Sequence, residues 1–133
     1  MRGGAAFAIA VVLGFARVAS GADFDGKQEL VCSAGDAAEC DTSAACDKVA
    51  AGEIDLPGAI HVDFKKKVVR SADGQRSSPI RSVEVEEAAL IVQGSQNGRG
   101  WSMVIERASG KLTGTIAEIA GAFVLSGSCA NAP

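Results

Sequence analysis

The segment RGWSMVIERASGKLTGTIAEIAGAFVLSGSC, residues 99–129, predicts three consecutive antiparallel strands. Trp101, Met103 and Ile105 alternate with the side chains between them, and this period of two directs every second side chain towards a core. Ser109-Gly110 separates the first strand from the second, because glycine accepts the positive φ that a tight reversal requires. The segment indicates an architecture and contains no motif that indicates a chemistry.

Four segments nearer the N-terminus also predict strands, residues 28–33, 60–70, 80–86 and 89–93; the last is a short apolar run rather than an alternation. Residues 47–51 fit either a helical turn or a short strand. Residues 35–46 and 71–79 are rich in small and polar residues and predict loops, and Asn97-Gly98 is the clearest reversal signal. Seven to eight strands joined by short turns predict an all-β antiparallel meander, closed or nearly closed into a small barrel; a two-sheet β-sandwich is the alternative.

One position breaks the alternation of the strand predicted over residues 60–70. Ile60, Val62 and Phe64 share its apolar face, and Lys66 falls on the same face. Two explanations remain open. Lys66 is either a cation that faces a cavity and binds a ligand there, or it lies in a β-bulge or in a strand that leaves the core, and we favour the bulge.

The N-terminus has the pattern of an export signal. A basic start is followed by an apolar run over residues 5–15, which is too short to span a bilayer of ~30 Å, since a span needs ~20 apolar residues. Small residues just before position 23 fit a signal-peptidase site. We therefore expect a signal peptide over residues 1–22 and one β-barrel-like domain over residues 23–133, located in the periplasm or secreted, with no membrane span.

All four cysteines lie in the expected mature part, at Cys32, Cys40, Cys46 and Cys129. An even number behind an export signal indicates two disulfides formed outside the cytosol. Three pairings are possible. We favour a local pair of Cys40 with Cys46 and a long-range pair of Cys32 with Cys129, which would join the first strand to the last and favour a closed barrel. Zinc is disfavoured, because structural zinc cysteines come in closer pairs, and we expect no cofactor.

Charge and aromatic content exclude several partners. Removal of the leader takes two of thirteen basic residues and leaves eleven basic against sixteen acidic residues, a formal charge of −5. An acidic surface opposes binding to nucleic acid and to anionic membranes. Trp101 is the only tryptophan and tyrosine is absent, whereas proteins that stack nucleic-acid bases use more aromatic residues. We expect a monomer whose partner is a protein or a small molecule.

Five short segments resemble a group of small exported bacterial proteins of unknown function. The segments are DFKKK at 63–67, PIRSV at 79–83, GRGWSM at 98–103, SGK at 109–111 and GSC at 127–129. The resemblance covers most of the expected mature chain. It implies a periplasmic or secreted location and a compact β fold, and it implies no catalytic or binding residue. The chain is more loosely similar to small exported inhibitors of lysozyme, which are also disulfide-closed β-barrels, but a fold does not fix a function.

Few residues indicate catalysis. His61 and Asp63 share a strand face and would need a serine to complete a hydrolase triad, but the chain has no Gly-x-Ser-x-Gly elbow. Glu84 and Glu86 also share a strand face, which an ordinary solvated face explains better than a pair of glycosidase carboxylates. We therefore expect no enzymatic activity.

Arg99 and Trp101 are, with Lys66, the candidate binding residues. Strand alternation places Arg99 and Trp101 on the same side as Met103, so an arginine at the rim above a buried tryptophan predicts the mouth of a small pocket. A core tryptophan whose indole N–H meets a nearby carbonyl, beside an arginine in a hairpin turn, is the alternative.

These residues lead us to expect an exported, non-enzymatic β-barrel that binds a protein or small ligand in the cell envelope. An inhibitor of a cell-wall hydrolase that inserts residues 74–78 or 95–99 is the alternative, and a hydrolase is the third hypothesis. A cavity wide enough for a ligand would favour the first hypothesis, and a protruding rigid loop the second. His61 hydrogen-bonded to both Asp63 and a serine would favour the third.

Overall fold

The computed structural model describes residues 23–133, and the predicted signal peptide lies outside the described residues. Nine β-strands and one four-residue 3-10 helix, Ala51–Ile54, make up this part of the chain. The strands are β1 (Leu30–Asp41), β2 (Cys46–Val49), β3 (Ile60–Asp63), β4 (Val68–Ser71), β5 (Ser77–Val85), β6 (Ala89–Gln96), β7 (Arg99–Glu106), β8 (Lys111–Glu118) and β9 (Gly121–Asn131). Across residues 23–133, no helix has the length and apolar character that crossing a membrane requires.

The sheet closes because its first and last long strands pair with each other. β1 pairs antiparallel with β9 from Leu30 opposite Asn131 to Asp41 opposite Gly121. Its other edge pairs with β3 near its start and with β2 near its end. Eight strands, β1 and β3–β9, thus form a closed barrel, and β2 is an additional strand beside β1. The structure confirms the antiparallel barrel, and the two-sheet sandwich is wrong.

Alternating strand directions divide the connections between two ends of the barrel. The open end carries the β4–β5 loop, the β6–β7 and β8–β9 turns, and residues 50–59, which link β2 to β3. The closed end carries the β3–β4, β5–β6 and β7–β8 turns. In the β6–β7 turn, Asn97 (φ 52°) and Gly98 (φ 77°) both have the positive φ of a type I′ hairpin, as the Asn-Gly pair predicts.

Large side chains fill the closed end. Leu30, Val62, Leu90 and Ile105 come from four different strands, and each is at most 1% exposed. Phe24 precedes β1 and packs into the same buried cluster. Complete burial of one such side chain stabilises the folded state by about 1.5–3 kcal/mol. The closed end therefore contains the part of the core that is most completely buried.

The first strand is much longer than the sequence predicts. The prediction of a loop over residues 35–46 is wrong, because β1 continues to Asp41 and β2 begins at Cys46. Glycine and aspartate are poor strand formers by themselves. Here the backbone of β1 is hydrogen-bonded to β9 on one side and to β2 on the other, so tertiary pairing overrides local composition. A bulge between Ala34 and Asp36 absorbs the change of register.

The single strand predicted over residues 60–70 is a hairpin. β3 ends at Asp63 and β4 begins at Val68, with Lys67 at φ 54° in the turn between them. The backbone N–H of Lys66 donates a hydrogen bond to Asp63 Oδ1 at 2.9 Å and closes the turn. Lys66 is exposed at the closed end of the barrel, so neither the β-bulge nor the cavity cation describes its position.

Two disulfides join neighbouring strands in the pairing that the sequence favours. Cys32 of β1 bonds to Cys129 of β9, and Cys40 of β1 bonds to Cys46 of β2. The first disulfide connects residues 97 positions apart and is buried in the core. It therefore ties together the two strands whose pairing closes the barrel.

Candidate functional site

The open half of the barrel surrounds a cavity of about 920 Å³. The inner faces of β7, β8 and β9 contribute to its wall, together with parts of β1, β3 and β4 and with residues 54–57 at the mouth. Small-molecule sites in proteins have volumes of about 300–1,000 Å³, so this cavity has the size of a ligand site.

Large apolar side chains line the inside of the cavity. Strand alternation turns one residue in two inward, and it brings together Ile60, Val69, Met103, Leu112, Ile116, Phe123 and Leu125. The connection between β2 and β3 adds Ile54, Leu56 and Pro57 at the mouth. Most of these residues are only half-buried, so apolar surface remains open to a ligand.

Trp101 forms part of the cavity wall and is fixed from two sides. Its indole Nε1 donates a hydrogen bond to Ser78 Oγ at 2.8 Å. A Cβ atom at position 94 would lie 2.2 Å from Trp101 Cζ2, so glycine at this position leaves room for the ring. Gly94 on β6 is the register partner of Trp101 on β7, which explains the close approach. The polar edge of the indole is thus satisfied within the protein, and the ring adds apolar surface to the wall.

Two ion pairs stand at the mouth of the cavity. Arg99, the first residue of β7, donates from Nε to Oε2 of Glu118, the last residue of β8, at 2.8 Å. Arg76 Nη1 donates to the backbone carbonyl oxygen of Asp55 at 2.7 Å and lies 3.6 Å from Asp55 Oδ2. The second contact ties the β2–β3 connection to the β4–β5 loop. A solvent-exposed ion pair contributes about 0–1 kcal/mol to the stability of a protein, so these charged groups can exchange partners at little cost in free energy.

Hydrogen bonds within the β4–β5 loop position Arg76. The buried Ser71 hydroxyl donates to Asp73 and accepts a hydrogen bond from the Arg76 backbone N–H at 3.1 Å. The backbone N–H of Gln75 donates to the same Asp73 oxygen at 3.0 Å. These hydrogen bonds hold the pKa of Asp73 below its ordinary value, and the one from Ser71 has the largest effect. The loop thus presents Arg76 to the mouth in a defined conformation.

The three candidate binding residues separate into two groups. Arg99 and Trp101 both line the cavity, on the same inner face as Met103, as strand alternation predicts. Lys66 lies in the turn at the opposite end of the barrel and is not part of the cavity. The indole N–H of Trp101 meets a serine hydroxyl rather than the carbonyl considered in the alternative. A binding role for Arg99 and Trp101 stays a prediction.

His61 belongs to a polar cluster on the outer face of the barrel. Its Nδ1 lies 3.0 Å from Glu29 Oε1, and Arg70 Nη2 donates to the same oxygen at 2.6 Å. Arg70 Nη1 lies 3.5 Å from Asp63 Oδ2. The pKa of Asp63 is lowered, mainly because its carboxylate accepts a hydrogen bond from the backbone N–H of Lys66. Within residues 23–133 the hydrogen-bond partner of His61 is Glu29 and not a serine, so the cluster does not have the arrangement of a hydrolase triad.

Other sequence candidates lie outside the cavity or at its mouth. Glu84 and Glu86 are exposed near the end of β5. Residues 74–78 and 95–99, the two candidate inhibitory segments, both lie at the open end, and the second is a tight two-residue hairpin. Among the described residues, no three side chains of His, Cys, Asp or Glu gather as metal ligands. Neither the inhibitory role nor catalysis is tested by this placement.

Sequence reasoning missed three residues of the site, Ser78, Gly94 and Glu118. Glu118 shares the alternation of Gly114 and Ile116 on β8, so this signal was sufficient to place it on the inner face. Gly94 also had a local signal, because a two-residue turn at Asn97-Gly98 pairs Gln96 with Arg99 and hence Gly94 with Trp101. Ser78 had no such signal, since its hydrogen bond to Trp101 joins β5 to β7, two strands away, and the local sequence does not specify that contact.

Comparisons with known proteins identify no relative of this chain. No protein-family model matches the chain, and no curated protein and no solved structure matches it. The resemblance to small exported bacterial proteins therefore stays a prediction from the segments that suggest it. What this chain binds has to be inferred from the cavity.

Proposed function

We propose that this chain is an exported, non-enzymatic β-barrel that binds a small molecule with an apolar body in the cavity at its open end. The observation that carries the proposal is the cavity of about 920 Å³, lined by large apolar side chains with charged groups at its mouth. Ligand sites commonly combine a concave apolar lining with a few convergent polar groups. This shape favours a small molecule over a protein partner.

The two halves of the barrel differ in how completely they are filled. Leu90 and Ile105 at the closed end are fully buried, whereas Ile116 and Leu125 at the open end keep part of their surface exposed. Protein interiors pack about as densely as organic crystals, and apolar cavities lower stability in proportion to their volume. A ligand that fills the open half would bury this surface, and the resulting hydrophobic contribution supports binding.

Export is supported by two independent features. The sequence predicts a signal peptide over residues 1–22. The described domain carries two disulfides and no free cysteine among residues 23–133. Disulfides form and persist in oxidising compartments. We therefore place the binding activity in the periplasm or outside the cell.

Gly114 offers a direct test, because it lines the cavity. A Cβ atom there would have Leu125 as its nearest neighbour at 3.6 Å, an ordinary contact, so Gly114→Leu should extend into the cavity without a collision at Cβ. Gly100→Leu is the matched control, since a Cβ at Gly100 meets nothing within 4 Å. The assay titrates each oxidised protein with N-phenyl-1-naphthylamine, a neutral dye whose fluorescence rises in apolar sites.

We expect wild type and Gly100→Leu to bind the dye saturably, at one molecule per chain. Gly114→Leu should bind at least tenfold more weakly, about 1.4 kcal/mol. Urea unfolding of both variants verifies that each is folded. The absence of saturable binding to wild type would refute the proposal, and so would equal affinity of the two folded variants.

A further inference from the structure

The guanidinium of Arg99 has free donors at the mouth of the cavity. Glu118 accepts the hydrogen bond from Arg99 Nε, and the two terminal nitrogens of Arg99 make no hydrogen bond to any side chain or backbone atom in residues 23–133. The guanidinium is planar, and its paired N–H groups match the two oxygens of a carboxylate. Arg99 is therefore held through one nitrogen and can bind an oxyanion through the others.

The other arginine at the mouth, Arg76, also makes contacts through a single guanidinium nitrogen within residues 23–133, but it belongs to the β4–β5 loop rather than to a strand. Arg76 Nη1 donates to the backbone oxygen of Asp55 and lies near its carboxylate, so this side chain fastens the β2–β3 connection. Arg70 contributes to the cavity lining, but its guanidinium binds Glu29 on the outer face. Among the arginines of the cavity, Arg99 is the one that shares the inner face of a barrel strand with apolar lining residues, so we take it as the ligand-binding arginine.

Arg99 also stands directly above the apolar part of the site. It shares the inner face of β7 with Trp101 and Met103, two and four residues further along the strand. A ligand whose head group meets Arg99 would therefore direct its apolar body along this face, towards Ile116 and Leu125 on the neighbouring strands. The head group would then lie at Arg99 at the mouth, and the apolar body would lie in the apolar interior of the cavity.

We propose, on the basis of the ligand-binding function proposed above, that the ligand is an amphiphile whose carboxylate binds the terminal nitrogens of Arg99 while its apolar chain occupies the cavity. Glu118 positions the arginine and at the same time opposes the incoming anion, because two carboxylates then lie on one guanidinium. Removing the charge at Glu118 and removing the charge at Arg99 should consequently have opposite effects on carboxylate binding.

The test compares three probes with the same apolar chain, namely decanoate, 1-decanol and decyltrimethylammonium. Affinities are measured by displacement of N-phenyl-1-naphthylamine and by fluorescence of Trp101, the only tryptophan in the chain. The variants are Arg99→Gln and Glu118→Gln, and Lys66→Gln is the matched control, because Lys66 is exposed in the β3–β4 turn at the closed end and is not part of the cavity.

We expect wild type and Lys66→Gln to prefer decanoate to decanol and to bind the cation most weakly. The preference should fall at least fivefold in Arg99→Gln and rise at least threefold in Glu118→Gln, with decanol affinity changed less than twofold in both. Equal binding of decanol and decanoate to wild type, or a preference unaffected by Arg99→Gln, would overturn the inference while leaving the cavity proposal intact. If none of the probes nor the dye binds, both proposals are wrong.

Discussion

Gly94→Ala tests with one methyl group how Trp101 is held in the barrel. The new Cβ would lie 2.2 Å from Trp101 Cζ2 and 2.5 Å from the Pro79 carbonyl oxygen. Carbon atoms in contact prefer about 3.5–4.0 Å, so the indole must move by more than about 1 Å. Because Trp101 Nε1 donates to Ser78 Oγ, this movement also strains or breaks that hydrogen bond.

The expected magnitude follows from these two effects. Overpacking of a core costs about 1–3 kcal/mol, and a lost hydrogen bond costs about 0.5–1.5 kcal/mol. We therefore expect Gly94→Ala to lower the free energy of unfolding by about 2–4 kcal/mol. Equilibrium urea unfolding followed by circular dichroism measures this change. The emission of Trp101 should also move to longer wavelength in the folded variant, because the displaced ring is more exposed to water.

Gly100→Ala is the control on the neighbouring strand. A Cβ atom at Gly100 meets nothing within 4 Å, and its φ is not in the left-handed region. The substitution should stabilise the protein by about 0.4–1 kcal/mol or leave it unchanged, since alanine restricts the unfolded chain. Equal unfolding free energies for the two alanine variants would refute the described packing of Trp101 against Gly94 and Ser78. An unshifted emission spectrum in Gly94→Ala would refute it as well.

Two further predictions concern the disulfides and the effect of pH. On the chain-entropy relation, the 97-residue separation of Cys32 and Cys129 corresponds to about 4.7 kcal/mol of stability, and the six-residue separation in the β1–β2 disulfide to about 2.3 kcal/mol. Replacing the first pair by alanine should therefore lower the urea midpoint more than replacing the second. The opposite order would contradict the role of the buried bridge in barrel closure. The pKa of Asp63 is lowered in the folded state, chiefly by a backbone hydrogen bond. The ionised carboxylate therefore adds to the free energy of unfolding; this contribution is fully present above the unfolded-state pKa and is lost as the pH falls through the folded-state pKa. The stability difference between wild type and Asp63→Asn, measured by urea unfolding from neutral to acid pH, should shrink over that range, and a difference that does not change with pH would show that the charge is not responsible.

The later half of the fold could be predicted from the sequence because its signals are local. The alternation over residues 99–129 gives β7, β8 and β9, and Asn97-Gly98 gives the turn before them. The cysteines carried the one long-range signal. Their favoured pairing joins the two strands that close the barrel, and it indicated closure where the strand patterns alone allowed a sandwich.

The earlier half was harder to predict because its strands depend on their partners. Residues 35–41 continue β1 although their composition is typical of a loop, since β9 and β2 hydrogen-bond to their backbone. The reversal after β3 lies in a run of three lysines without glycine, and Lys67 adopts a positive φ there. A residue of this type is uncommon in that conformation, so the pattern resembled one continuous strand.

Part of the candidate site also had a local signal. Alternation placed Arg99 and Trp101 on one inner face, whereas Lys66 was misplaced together with the hairpin that contains it. The contact of Trp101 with Gly94 follows from the register of the Asn97-Gly98 hairpin, whereas the hydrogen bond of Trp101 to Ser78 reaches β5, two strands away. The second contact depends on how the strands pack across the barrel, which alternation within one strand does not specify.

The most direct test of the ligand site is a measurement of intermolecular nuclear Overhauser effects between 1-decanol and the methyl groups of the oxidised protein. The cavity predicts effects to Ile116 and Leu125 at the open end. Methyl groups of Leu90 and Ile105 in the fully buried closed end should show none. Effects confined to the exposed Val104 on the outer face, or no effects at saturating decanol, would contradict a ligand site inside the barrel.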